Sequence, residues 1–225
     1  MKLHTFNTQQ DWIGDSVESI ASSLSEQINL SGEANLAVSG GSTPFDIYRE
    51  LVGQDLDFSK IDLIQVDERY VPETSAESNW SSIEKSFEGV NFRQIIRFEY
   101  STSIQDILDK AQQNLPQKLG LTILGMGLDG HFASLFAGGE YWDKPVSNKA
   151  LITQAPDYYP TRDRLSLSPE YIYNSEKIII LIKGKDKYDK LQEYIQNPIG
   201  IKNWPLEYLY NHPNLEVYCM VGHNH

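Results

Sequence analysis

The sequence predicts an α/β fold: a single Rossmann-like domain over residues 1–225, with a mostly parallel sheet and helices on both faces. Three observations predict it. Short apolar runs rich in β-branched residues recur along the chain, the strongest at Leu121–Leu124 and Lys177–Ile182. Stretches with apolar residues at helical spacing separate these runs. Several runs stop abruptly at Gly-, Ser- or Asp-bearing turns, as strands that feed crossover helices do.

The elements follow in order. Trp12, Ile13, Val17, Ile20, Ala21, Leu24 and Ile28 mark one face of a first helix, and Leu36-Ala37-Val38 a short strand. Phe45, Ile47, Tyr48 and Leu51 suit the next helix, and Ile61 to Val66 a second strand. A polar loop leads to a helix near Trp80 to Phe87; Ile104, Ile107, Leu108, Ala111 and Leu115 form a further helical stripe. The strand Leu121–Leu124 then ends in a glycine turn, and the apolar run from Phe132 to Phe136 reads as the start of a helix. Gly138 to Pro160 shows no clean period and reads as an irregular connection over the active edge, not a linker to a second domain. Tyr188, Leu191 and Ile195 suit a helix after Lys177–Ile182, and Leu215–Met220 a last strand.

Composition narrows the function. With 31 acidic and 19 basic residues the formal net charge is −12, which disfavours nucleic-acid binding through phosphate neutralisation. A small anion remains possible, because local cations and helix N-termini can hold one. The single cysteine, Cys219, excludes an intrachain disulfide framework. The N-terminus lacks the apolar core of a signal peptide, and no apolar run approaches the roughly 18 residues that span a bilayer. The expectation is a soluble cytoplasmic protein with no membrane or nucleic-acid partner, a monomer or small homo-oligomer.

Three loops carry chemistry. Ser39-Gly40-Gly41-Ser42-Thr43-Pro44 lies between a strand and a helix. Its glycines permit close backbone approach, Ser42 or Thr43 can cap the helix, and its exposed N–H groups favour a phosphate. An ordinary tight turn before a capped helix is the plain alternative. Asp67-Glu68-Arg69 follows the second strand; Arg69 offers planar, permanently charged donors to an oxyanion, or else forms a surface ion pair. Gly125-Met126-Gly127-Leu128-Asp129-Gly130-His131 delivers a carboxylate and an imidazole to a sheet edge. Imidazole titrates near neutrality and serves as a base. Whether Asp129 or another acid orients His131 stays open, because residues two apart need not touch. The spacing of Gly125, Gly127 and Gly130 matches a dinucleotide fingerprint, but no suitably placed acidic ribose ligand follows. Arg162 and Arg164 precede an alternating run, and Lys183, Lys185 and Lys187 surround Gly184. Lys187 falls in the first turn of a helix, where the dipole disfavours a cation unless an anion meets it. Solvated surface charge is the alternative for each.

In this order, with Ala133-Ser134-Leu135-Phe136, Arg164-Leu165-Ser166-Leu167-Ser168 and Gly184 with Lys187, the segments resemble the short, DevB-like 6-phosphogluconolactonases of the wider glucosamine-6-phosphate isomerase/deaminase-like group. The resemblance covers roughly residues 10 to 220. Ala137 stands where the family usually has Pro, Ser166 where it has Thr, and the last residues lack its common closing pattern.

The resemblance implies a NagB/RpiA-like fold and hydrolysis of 6-phospho-D-glucono-1,5-lactone, a phosphorylated sugar lactone, without metal or cofactor. It casts His131 as the base that activates water, Asp129 as its orienting acid and Arg69 as oxyanion stabiliser. Gly40, Gly41, Ser42, Thr43, Asp67, Arg164 and Lys187 become substrate contacts. Two rivals share the scaffold. Glucosamine-6-phosphate deaminases continue past Asp-Gly-His into Ile-Ala-Phe-Asn-Glu-Pro, and their acidic residue falls at Phe136 here; they also carry Tyr where this chain has Arg69. A non-catalytic sugar-phosphate-binding module would need the phosphate grip but not the water-activating pair.

Overall fold

The computed structural model describes residues 1–222. His223 and His225, where fraying is expected, lie outside the described residues. Seven strands form one parallel sheet: β1 (Lys2–Phe6), β2 (Ala34–Val38), β3 (Ile61–Gln65), β5 (Gln94–Ile96), β6 (Leu121–Gly125), β9 (Lys177–Lys183) and β10 (Leu215–Met220). Their spatial order is β1-β10-β9-β6-β2-β3-β5, and every pairing is parallel. A smaller antiparallel sheet holds β4 (Asp67–Arg69), β8 (Asp163–Leu167) and β7 (Ala150–Gln154), in the order β4-β8-β7. The helices are α1 (Gln9–Ser31), α2 (Ser42–Val52), α3 (Asn79–Ser86), α4 (Ile104–Asn114), α5 (Pro169–Tyr173) and α6 (Lys185–Gln196).

The continuous apolar strands are explained by burial on both faces. Along β9, Ile178, Ile180 and Ile182 enter one core while Ile179 and Leu181 enter the other. In β10, Leu215, Val217 and Cys219 join the first, Tyr218 and Met220 the second. The second core is closed by Trp12, Val17, Ile20 and Leu24 of α1, with Ile47, Tyr48 and Leu51 of α2. α1 starts at Thr8, whose side chain accepts the Asp11 amide, and stops at Gly32, whose φ of 83° reverses the chain. Among the described residues no helix is long and apolar enough to cross a membrane.

Three expectations are corrected. No helix follows His131: the Leu135 amide bonds back to the Phe132 carbonyl at 3.0 Å, and Ala133 takes a φ of 50°. Tertiary bonds outweigh the helical spacing there. The Ser134 hydroxyl donates to Asp67 at 2.7 Å, and the Thr153 hydroxyl to the Ser134 carbonyl at 2.8 Å. The stretch 138–160 is not wholly irregular, since it contains β7. Finally, neither Ser42 nor Thr43 caps α2: Gly41, with a φ of 95°, holds the cap position and no side chain closes it. The small sheet shares a core with the large one, through Ala150, Leu165 and Leu167 packed with Phe132 and Leu135.

Candidate functional site

The strand order reverses direction between β2 and β6. From β2 the chain steps outward to β3 and β5, then returns to β6 on the other side. A crevice outside the carboxyl ends of strands at such a point is where open α/β sheets bind ligands. Here it is a cavity of about 420 Å³, within the range of small-molecule sites. The turn after β2 (Ser39 to Pro44) lines it, as do the turn after β6 (Gly125 to Leu128), Asp67 and Arg69 of β4, Lys187 of α6, and His131 and Tyr159.

His131 is held from two sides. Its Nδ1 lies 2.5 Å from Asp129 Oδ1, and the same oxygen accepts the His131 amide at 3.3 Å. The imidazole leans on Phe136, ring centres 4.7 Å apart, and meets the Tyr159 ring edge-on at 6.0 Å. Burial raises the Asp129 carboxyl, but the hydrogen bond and charge of His131, with help from Tyr158, carry it down to about 2. The loop is tight because glycines make it so. The Gly127 amide bonds the His131 carbonyl at 2.9 Å, and the Gly130 amide the Gly127 carbonyl at 3.1 Å. A Cβ on Gly130 would lie 2.4 Å from the Trp204 ring, and one on Gly127 would lie 2.1 Å from His131 Nδ1. The residues two apart therefore do touch, and Asp129 is the acid on His131.

The anion-binding elements arrive separately. α2 and α6 both begin at glycines, Gly41 and Gly184, with no side-chain hydrogen bond capping either start, although Asp186 lies in the first turn of α6; both helix starts lie at the sheet edge with their positive ends. Gly40 packs against Asn79, whose Cβ would sit 2.7 Å from a Gly40 Cβ. Asn79 is itself fixed, its amide on Glu68 Oε1 at 2.7 Å and its side chain on the Asp67 carbonyl at 3.1 Å. Glu68 is buried and accepts five hydrogen bonds, from the Arg69, Asn79 and Trp80 amides and the Gln65 and Ser78 side chains. Burial raises its carboxyl despite those donors. Glu68 thus ties β4 to α3 and sets the course of Arg69.

Arg69 and Arg164 face each other in register across β4 and β8. The Nε of each is buried without a hydrogen-bond partner. Arg69 lines the cavity, and its Nη1 donates to the Glu77 carbonyl at 2.5 Å. Arg164 is 3% exposed and lies behind the Tyr159 ring, 5.6 Å away. Burial, then the charge of Arg69, pushes its guanidinium down. Lys187 donates to the Met126 carbonyl at 2.7 Å, and burial pushes its ammonium down. The remaining cations face elsewhere: Arg162 pairs with Asp157, Lys185 with Asp189, and Lys183 donates to Gln9. Asp67 lines the cavity with its carboxylate turned to Ser134.

Gly40, Gly41, Ser42, Thr43, Asp67, Arg69, His131 and Lys187 thus share one cavity, Asp129 stands directly behind His131, and Arg164 is screened by Tyr159. Sequence reasoning gave Glu68 and Asn79 no role of their own at the site, and it missed Tyr158 and Tyr159. The tyrosine pair between Pro156 and Pro160 is the one signal that could have drawn attention to that loop.

A family model described as glucosamine-6-phosphate isomerases/6-phosphogluconolactonase matches residues 7–218. The chain belongs to this family. Among its relatives, the 6-phosphogluconolactonase of Xylella fastidiosa (strain 9a5c) is 31% identical over 201 residues, 84% of this chain and 83% of that one. The 6-phosphogluconolactonase of Caulobacter vibrioides is 27% identical over 196 residues, covering 83% of this chain and 84% of that one. The crystal structure of 6-phosphogluconolactonase from Thermotoga maritima superposes with a TM-score of 0.83 at 25% identity, covering 99% of this chain and 100% of that one. A monomeric glucosamine-6-phosphate deaminase superposes almost as well, with a TM-score of 0.82 at 18% identity over 98% of this chain and 97% of that one. The family fold therefore hosts both activities, and residues must separate them.

Proposed function

We propose that this protein hydrolyses 6-phospho-D-glucono-1,5-lactone to 6-phospho-D-gluconate by His131-assisted attack of water. The observation that carries the reading is the His131–Asp129 pair, 2.5 Å apart, at a cavity that also holds Arg69, Lys187 and the Gly40–Thr43 turn. The relatives named 6-phosphogluconolactonase, matched over 84% and 83% of their length, support the substrate. Phe136 supports it against the deaminase, because a phenyl ring cannot relay protons at the position where deaminases carry an acid.

The proposed steps use this chain's residues alone. Asp129 occupies Nδ1 of His131, which leaves Nε2 for a water. As the water oxygen bonds to the lactone carbonyl carbon, Nε2 takes its proton, and Asp129 offsets the imidazolium charge. Arg69 and the amides of the Gly40–Gly41 turn stabilise the oxyanion. When the tetrahedral carbon expels the ring oxygen, Nε2 returns the proton to it, and the acid product releases a proton to solvent. Lys187 and Ser42 or Thr43 hold the phosphate, with the helix starts of α2 and α6 favouring its charge, and Arg164 adds positive charge from behind Tyr159. A positioned base contributes roughly 10²–10⁴-fold. The lactone is activated enough that no covalent intermediate is needed.

The test is lactone turnover by the purified protein, followed by proton release. His131→Ala is expected to lower kcat at least about 10²-fold with the fold retained. Near-normal turnover in that variant would remove His131 from the mechanism. Ammonia release from glucosamine 6-phosphate would replace the lactonase reading with the deaminase one.

A further inference from the structure

The connection between β7 and β8 passes over the Asp129–His131 pair. Tyr158 in it is 70% exposed, yet its hydroxyl folds back onto Asp129 Oδ2 at 3.1 Å. An exposed phenol has little packing reason to take that course, whereas a hydrogen bond to an ionised carboxylate supplies one. Pro156 and Pro160 restrict the backbone on either side, and the Tyr159 amide closes a turn onto the Pro156 carbonyl at 3.0 Å. Both oxygens of Asp129 are therefore engaged, Oδ1 by His131 and Oδ2 by Tyr158.

We propose that Tyr158 is a positioning residue that holds the Asp129 carboxylate in the plane that orients His131 and draws charge from the oxygen shared with the imidazole. Its kinetic consequences rest on the lactonase reading above; the contact itself does not. The charged and titratable groups around the pair are Lys187 from α6, Arg69 from β4, Arg164 from β8 and Tyr159 from the same loop. Among the described residues, the Tyr158 hydroxyl is the one group hydrogen-bonded to Asp129 Oδ2. Burial and the nearby Asp129 charge push the Tyr158 phenol up to about 12, so it stays a donor across the working pH range.

The sign of the effect follows. Without the phenol, Asp129 keeps more charge on Oδ1 and favours the imidazolium, so the imidazole gains its proton at higher pH. Tyr158→Phe removes one oxygen from an exposed site and should fold normally. Its kcat is expected to fall about fivefold, the worth of one hydrogen bond, because the carboxylate loses its fixed plane and the imidazole its aim, a loss that outweighs the stronger base, with KM little changed. The acid limb of its kcat/KM profile should move to higher pH. Without substrate, the low-field NMR resonance of the His131 Nδ1 proton should move further downfield. In an Asp129→Asn background, Tyr158→Phe should change nothing more.

An unmoved resonance and acid limb would overturn the proposal. So would additive losses in the double variant, or a rise in KM with the limb in place, which marks a loop anchor only. If the protein turned over no lactone, the resonance would decide alone. A shift would uphold the contact while the lactonase reading fell.

Discussion

The site's geometry makes its sharpest prediction at a residue with no functional group. Gly127 is not one of the glycines held at positive φ. Space is the obstacle. A Cβ there would lie 2.1 Å from His131 Nδ1, 2.2 Å from Cε1 and 2.5 Å from Asp129 Oδ1, where ordinary contact begins at 3.4 Å. The backbone cannot retreat easily, because the Gly127 amide and carbonyl are bonded to His131 and Gly130. The imidazole must then give way by more than about 1 Å, and a misplacement of that size costs on the order of 10²-fold in rate. Gly127→Ala should lose about that factor in kcat, together with the low-field Nδ1 proton resonance. Its urea midpoint should move little, because alanine also restricts the unfolded chain. Gly125→Ala is the contrast: its Cβ meets nothing within 4 Å, so the resonance should persist. Turnover within about threefold of wild type in Gly127→Ala, well short of the expected loss, would refute the claim that this contact geometry sets the rate.

Two further outcomes follow. Asp129 is held down to about 2 from an ordinary 3.8, so its pairing adds stability above the unfolded value that disappears as pH falls through the folded one. Its side chain is 28% exposed, and solvent screening reduces the gain to about 1 kcal/mol. Urea unfolding of wild type and Asp129→Asn should differ by that amount above about pH 5 and converge toward pH 2; a gap that widened on acidification would contradict the pairing. Lys187→Met should raise KM by about 10- to 100-fold, the worth of a charge-assisted hydrogen bond. Lys185→Met, whose ammonium already serves Asp189, should leave KM near wild type; the reverse ranking would relocate the phosphate grip.

The sheet was legible because its interior strands are buried on both faces, and such strands announce themselves as unbroken apolar runs. β9 is the clearest case. The strands that escaped notice lack that signature. β1 is an edge strand with no residue fully buried, and β7 buries only Ala150 and Thr153. The mistaken helix after His131 is more instructive. Phe132, Leu135 and Phe136 do have helical spacing and are buried, but burial is all that such spacing reports. Ser134 bonded to Asp67 and Thr153 settles the backbone, and those partners lie 67 and 19 residues away in sequence. The same limit governs the site. The glycine turns and the Asp-Gly-His run could be read because their chemistry is local. Which of five cations turns inward, and that a tyrosine would reach Asp129 from 29 residues away, depends on crossings that no local pattern encodes.

The cations also carry an energetic argument. Placing Arg69 and Arg164 in register, each with a buried and unpartnered Nε, is costly for a protein that binds nothing. Burial works against Lys187 as well. A chain with 31 acidic residues had many carboxylates available to neutralise these three charges. It spends them elsewhere, on Arg93, Arg97, Lys110, Lys177 and Lys202. Nearby Asp67 gives its hydrogen bond to Ser134. Asp67, Glu77, Asp129 and Asp186 act on Arg164 or Lys187 from a distance, but among the described residues no carboxylate forms an ion pair with Arg69, Arg164 or Lys187, so an arriving anion would meet unpaired cations. On the lactonase reading proposed above, a lactone without the phosphate meets only part of this cation set, so losing the phosphate is expected to weaken binding at this site.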